Sequence, residues 1–235
     1  MLKVVENAVP VACWSCSVAH NESTLFCPDC SKIQPPTGDF FTVFGLEPQL
    51  NLDLAALEQE FHRLSRRLHP DRFTRASENE KQWSLADTAL LNDAYRTLKD
   101  PLRRTEYLLK LKGAGFGPPT AVLSDSAFVQ SQEKSRVPSD LLEEVFDLNM
   151  QLEEMRRSKK TGGEDPELKE GLKKTKETFE GLVAAVDRDL RAQWTIWDAG
   201  DNAARGSAQC AMVALLDRRR YLSNLVRSVT EILGD

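Results

Sequence analysis

Past residue 50, apolar positions recur at helical spacing. Leu54, Leu57, Phe61, Leu64 and Leu68 follow at steps of three and four, which gathers side chains into one stripe along an α-helix. Asp53 stands where an N-cap belongs. Pro70 stops the pattern, because proline disfavours helix at the residue before it. A second helical pattern carries Trp83, Leu90, Leu91, Ala94, Tyr95 and Leu98 and ends at "KDP". Pro101 can open a third helix at its first turn, with Leu102, Tyr107, Leu108 and Leu111 inward and Gly113 as end signal. Two antiparallel helices joined by a loop at His69-Pro70-Asp71 are the simplest arrangement. Further patterns predict helices near 139–160, 166–198 and 206–233. Strand-like alternation is hard to find after residue 50, so the expected fold is all-α: a helix hairpin followed by a three-helix bundle.

The stretch "DLLEEVFDLNMQLEEM" (140–155) holds more apolar residues than one buried stripe requires. Leu141, Val145, Leu148, Leu152 and Met155 make the core stripe. Leu142, Phe146 and Met150 make a second row, roughly 100–180° away around the helix. Glu143, Asp147 and Glu154 border that row, and the stretch has no basic residue. Either another helix covers the row, or it is an exposed apolar strip rimmed by acids, the composition of an interaction site.

Pro/Gly punctuation at "QPPTG" (34–38) and "GAGFGPPT" (113–120) divides the chain into segments 1–36, 37–113 and 121–235, and "TGGEDP" (161–166) separates two helices of the last. The short linker with two prolines is expected to hold the parts it joins at a fixed angle. There is no internal repeat. A net charge of −5 supplies no overall positive field, so no nucleic-acid or anionic-membrane partner is expected. No apolar run approaches the roughly 18–20 residues needed to span a bilayer. The start lacks the pattern of a secretion or transit signal. A cytoplasmic protein is the default, with an organelle form left open.

Four of the five cysteines form Cys13-x2-Cys16-x10-Cys27-x2-Cys30. Each Cys-x-x-Cys pair can present two sulfurs from a tight turn, and two pairs complete the tetrahedral set zinc prefers. The segment is too short to build a hydrophobic core, so a structural zinc, in a small ribbon-like unit, is the expected ordering element. A redox dithiol, a disulfide pair, or iron in place of zinc remain open at this point. Cys210 lies in an apolar helical stretch and is expected to be a buried small hydrophobe.

His69 beside Asp71 invites a catalytic reading, but no nucleophile, Gly-rich phosphate loop or ligand cluster accompanies them, and the chain has only three histidines. A hydrolase is therefore not expected. Gln59, Arg63, Arg66 and Arg67 lie away from the leucine stripe. That face is either simply solvated or, since it ends at a rigid polar corner, a docking surface for an acidic partner.

The order "DFFTVFGL" (39–46), the basic helix, "HPDRF" (69–73), "LLNDAYRTLKDP" (90–101) and "LRRTEYLLKLKG" (102–113) resembles the J domain of the HscB-type co-chaperones. The four-cysteine segment resembles the extension of animal members. The resemblance implies that the protein binds a DnaK-type heat-shock ATPase and speeds its hydrolysis, through His69, Pro70 and Asp71 with Arg63, Arg66, Arg67 and Arg72. It therefore implies a protein that is itself no enzyme. Arg72 stands where lysine is common, which keeps the charge but alters bonding geometry. The resemblance also implies a carboxy-terminal three-helix domain that binds the scaffold for iron–sulfur cluster assembly. By position the binding face is Leu142, Phe146, Asp147 and Glu154, with Tyr221 in "LDRRRYLSNL" (216–225). Tyr221 falls off its own helix's stripe of Met212, Leu215, Leu222, Val226, Val229 and Leu233, and Met150 departs from the more polar residues of the family. The implied function is delivery of the scaffold to the ATPase, in the cytoplasm, or in the mitochondrial matrix of a eukaryote. The alternatives are a general J-domain co-chaperone delivering unfolded polypeptides, and a zinc-ribbon interaction protein with an inert J domain.

Overall fold

The computed structural model describes residues 11–20, 24–36, 38–114, 139–160 and 165–234. The chain forms two compact units, Met1–Leu111 and Lys112–Asp235. Residues 115–120 of the expected linker at 113–120, the stretch 121–138, and residues 161–164 of the expected break at 161–166 lie outside the described residues.

In the first unit, the cysteine segment makes a two-stranded antiparallel pair, β1 (Val11–Ala12) and β2 (Ala19–His20), and an isolated bridge between Phe26 and Ile33. Helices α1 (Phe40–Val43), α2 (Leu54–Leu68), α3 (Glu78–Lys99) and α4 (Pro101–Leu111) follow, with a 3-10 turn at Pro70–Phe73 between α2 and α3. Asp53 caps α2 by accepting from the Ala55 and Ala56 amides. Ser77 and Glu80 form a reciprocal capping box at α3, satisfying amides that helix geometry leaves without partners. The hairpin is antiparallel. At one end the Ser84 hydroxyl donates to the Leu68 carbonyl at 2.6 Å. At the other Phe61 stacks on Tyr95, 4.2 Å between ring centres, and the Tyr95 hydroxyl donates to Glu58. Phe41, Leu50, Leu57, Leu64, Leu68, Leu91, Ala94, Leu98, Leu108 and Leu109 fill the core.

Two stripe assignments need correction. Leu54 is exposed, since it sits at the helix start beside the solvent-facing cap. Leu111 is exposed too, and Leu109 is buried instead. The inward arc of α4 runs Arg104, Thr105, Leu108, Leu109, because Arg104 turns in to donate to the Leu98 carbonyl at the end of α3, an acceptor the helix itself leaves open.

The second unit holds a 3-10 turn (Ser139–Leu141) and three helices, α5 (Leu142–Lys160), α6 (Pro166–Ala199) and α7 (Asn202–Leu233). Asp187 pairs with Arg219 and the Trp197 carbonyl accepts from Arg205, so α6 and α7 run antiparallel. Asp140 pairs with Arg218 and Lys159 reaches the Ile232 carbonyl, so α5 runs parallel to α7. The predicted stripe of α5 is buried throughout against Leu172, Phe179, Val186, Leu222, Val229 and Leu233. Helix α7 starts four residues earlier than its apolar pattern, because Asp201 caps it directly after Gly200. A Cβ at Gly200 would lie 2.4 Å from the Ile196 carbonyl oxygen, so only glycine fits this corner. Among the described residues no helix is long and apolar enough to cross a membrane.

Asp87 on α3 is fully buried, and neither carboxylate oxygen has a hydrogen-bond partner among the described residues. Burial pushes its pKa up to about 7, so the folded state holds a proton that the unfolded chain releases near 4. Stability is therefore lost as pH rises from about 4 through about 7. Asp87→Asn should raise the melting temperature at pH 8, by on the order of a few kcal/mol in stability, and leave it nearly unchanged at pH 4. Thermal unfolding at the two pH values checks this.

Candidate functional site

Each Cys-x-x-Cys forms the same tight turn. The Cys13 amide donates to the Val18 carbonyl and the Ser17 amide to the Cys13 carbonyl. Cys27, Lys32 and Ser31 repeat the pattern, all at 2.9 Å. Ser17 and Ser31 close the turns with φ of 62° and 58°, the left-handed region that non-glycine residues rarely enter. The signal was present in the sequence as the serine that follows each pair, in "CWSCS" and "CPDCS".

The two turns bring all four sulfurs within 4.8 Å of one another, with Cys13–Cys30 and Cys16–Cys27 at 3.7 Å. A tetrahedron of metal–sulfur bonds of about 2.3 Å has edges of about 3.8 Å, so the set fits one tetrahedral ion. The cysteines are free, and these separations are far from the roughly 2.05 Å of a disulfide. Burial raises the Cys13 thiol, but the Cys16 and Ser15 amides and the neighbouring sulfurs outweigh it and bring the thiol down to about 6. The Val18 amide lowers Cys16, while burial and the sulfurs of Cys13, Cys30 and Cys27 push it up to about 12. Four clustered thiols cannot all ionise without a cation, which is the demand a metal meets. Two side chains also reach the buried sulfurs: Gln34 Nε2 donates toward Cys13 at 3.4 Å, and His20 Nε2 lies 3.4 Å from Cys27 and 3.2 Å from Asp29. Such outer partners orient ligands and offset thiolate charge. Cys210 is a correction: it is exposed on α7, because two residues' rotation carries it off the buried line of Ala208, Met212 and Leu216.

The His-Pro-Asp turn stands in solvent. The side chains of His69 and Asp71 are 59% and 86% exposed. Pro70 opens the 3-10 turn, His69 Nδ1 accepts from the Asp71 amide at 3.3 Å, and the His69 carbonyl accepts from the Arg72 amide. Arg63, Arg66 and Arg72 are exposed and Arg67 is half-buried. Burial and the charges of Arg63 and Arg72 lower the Arg67 pKa, so these three share one positive field. Arg63 also pairs with Glu60, and Arg66 donates to the His62 carbonyl. The Arg67 guanidinium lies over the Phe26 ring, 4.0 Å from its centre. Nothing in the helical spacing announced that contact.

On α5 the second row is uncovered: Leu142, Phe146 and Met150 are 55%, 64% and 59% exposed. Glu143, Asp147 and Glu154 around it are exposed as well. Tyr221 is half-buried against the bundle core, which raises its phenol pKa. One turn before it, Arg218 grips Asp140 with two bonds, of 3.0 and 2.7 Å, holding that carboxyl below its usual range. The contact ties the start of α5 to the turn of α7 that precedes Tyr221.

No family model matches the chain. It is 37% identical over 128 residues to the mouse iron-sulfur cluster co-chaperone protein HscB, covering 52% of this chain and 55% of that protein. It is 38% identical over 109 residues to a co-chaperone protein HscB homolog of Shewanella loihica, covering 46% and 61%. The chain therefore spans little more than half the length of these curated relatives. Two solved structures share the fold. Human co-chaperone protein HscB matches with a TM-score of 0.61 at 26% identity, covering 94% of this chain and 98% of that one. Chaperone HscB from Vibrio cholerae matches with 0.53 at 26% identity, covering 83% and 97%.

One ion should bind per chain. Cys30→Ser should lower bound metal, measured by elemental analysis after gel filtration. Cys210→Ser should leave it unchanged.

Proposed function

We propose that this homologue of the HscB co-chaperones works as one. Its first unit docks on a DnaK-type heat-shock ATPase and stimulates hydrolysis. Its second unit delivers to that ATPase the scaffold protein on which iron–sulfur clusters are assembled. The observation that carries the reading is the solvent-facing His69-Pro70-Asp71 turn at the end of an arginine-bearing helix. A positive rod ending in a stiff corner suits an acidic face of a partner, where charge sets orientation and encounter rate. His69 acts there as a contact and hydrogen-bonding group and shuttles no proton. The chain shifts its partner between states by binding one of them better.

The acid-rimmed row on α5 supports the second half. An uncovered Leu142–Phe146–Met150 strip offers an aromatic anchor between aliphatic neighbours, the make-up of an interface centre. Asp147 and Glu154 orient a basic rim on the scaffold, and Tyr221 flanks the strip. The ion in the cysteine tetrad is structural zinc, for which four thiolates in a closed set are the ordinary ligands. Such work belongs in the cytoplasm, or in the mitochondrial matrix of a eukaryote.

Steady-state hydrolysis by the partner ATPase, with and without scaffold, tests the reading. His69→Gln should abolish stimulation and leave scaffold binding intact. Phe146→Ala should weaken scaffold binding by about 1–3 kcal/mol while leaving the melting temperature and scaffold-free stimulation unchanged. Binding of denatured model proteins in preference to a folded scaffold would instead identify a general J-domain co-chaperone.

A further inference from the structure

Three contacts join the cysteine turns to the helix ends on either side of His-Pro-Asp. Phe26, next to Cys27, carries the Arg67 guanidinium on its ring at the last turn of α2. Lys32, two residues past Cys30, pairs at 2.9 Å with Glu80 in the first turn of α3. Glu80 is buried, and its other oxygen closes the cap with Ser77. Trp14, between Cys13 and Cys16, meets Trp83 edge-on with ring centres 5.5 Å apart. The two cysteine turns are themselves linked, since the Trp14 indole donates to the Ile33 carbonyl at 2.7 Å. Every tether thus sits on, or within two residues of, a metal-ligand cysteine. The two helix ends they reach already meet through Ser84 and the Leu68 carbonyl.

We infer that the metal-bound cysteine segment is a brace for the chaperone-facing turn, and that Phe26 is its positioning residue, fixing Arg67 in the orientation in which it is presented. Docking geometry at Arg67 would otherwise cost the ordering of a long, free side chain. A guanidinium carbon held 4.0 Å over a ring centre fixes the head group in place while its N–H groups can still meet a partner carboxylate. Metal binding orders the two turns, and the tethers pass that order to residues 66–80. The value of the brace to the ATPase rests on the function proposed above, but its existence can be read without any partner.

The test is hydrogen exchange on the full chain, zinc-loaded and after chelation, with Phe26→Leu and Phe26→Trp variants whose zinc content is measured alongside. Phe26→Leu should retain zinc yet exchange about 3- to 10-fold faster at the end of α2 and through the turn. Phe26→Trp should restore protection, and chelation should extend the effect to the start of α3. Unchanged exchange at 66–73 in zinc-retaining Phe26→Leu would overturn the brace, as would faster exchange spread evenly over 40–111. In the ATPase assay, Phe26→Leu should raise the half-saturating concentration about 2- to 5-fold without lowering the maximal rate. If exchange changes as stated and no stimulation occurs even for wild type, the brace stands and the chaperone reading fails.

Discussion

The first unit depends on how α2 ends. Its last carbonyls need donors, and the proline that stops the helix brings none. The donor comes from the other arm of the hairpin: the fully buried Ser84 hydroxyl reaches the Leu68 carbonyl, with Thr88 more distant at 3.5 Å. Pro70 thus ends the helix, while this one bond satisfies its last carbonyl and ties the end of α2 to α3. His69 and Asp71 stand in solvent and Pro70 is half-buried between them, because the chain before them is satisfied without them.

The two units manage charge in opposite ways. On α2, arginines collect near the turn, and burial together with the charges of Arg63 and Arg72 lowers the Arg67 pKa, the mutual repulsion of like charges held close. On α5, the face away from the core carries acids and three uncovered apolar side chains, and its only cationic residues come after position 155. The bundle beneath needs nothing from that second row, since Leu141, Val145, Leu148, Leu152 and Met155 already close the core. Exposed apolar side chains rimmed by acids are the composition on which the scaffold-binding proposal rests.

Much of this was legible because helices announce their inner face by spacing. The α5 stripe, the Asp53 cap, the proline stop and the Gly113 end signal are local properties, and local chemistry decides them. What escaped depends on partners distant in sequence. Arg104 turns inward for a carbonyl six residues back, so the arc of α4 shifts and Leu111 faces solvent. Cys210 was judged by the apolar company of its neighbours, whereas its angular position on α7 decided its exposure. The seating of Phe26 under Arg67 spans 41 positions, and no periodicity encodes it. Exposure of the α5 row was open for the same reason: whether a third helix covers a face depends on the packing of all three.

The central claim is that one face in each unit receives a different protein. An amide spectrum of the isotope-labelled chain, titrated with the ATPase, then the scaffold, then both, addresses it directly. The account predicts signal changes within 63–73 for the ATPase and within 142–154 and around Tyr221 for the scaffold, with both sets present in the mixture. Changes from both partners at one common set of residues, or displacement of one by the other, would contradict it.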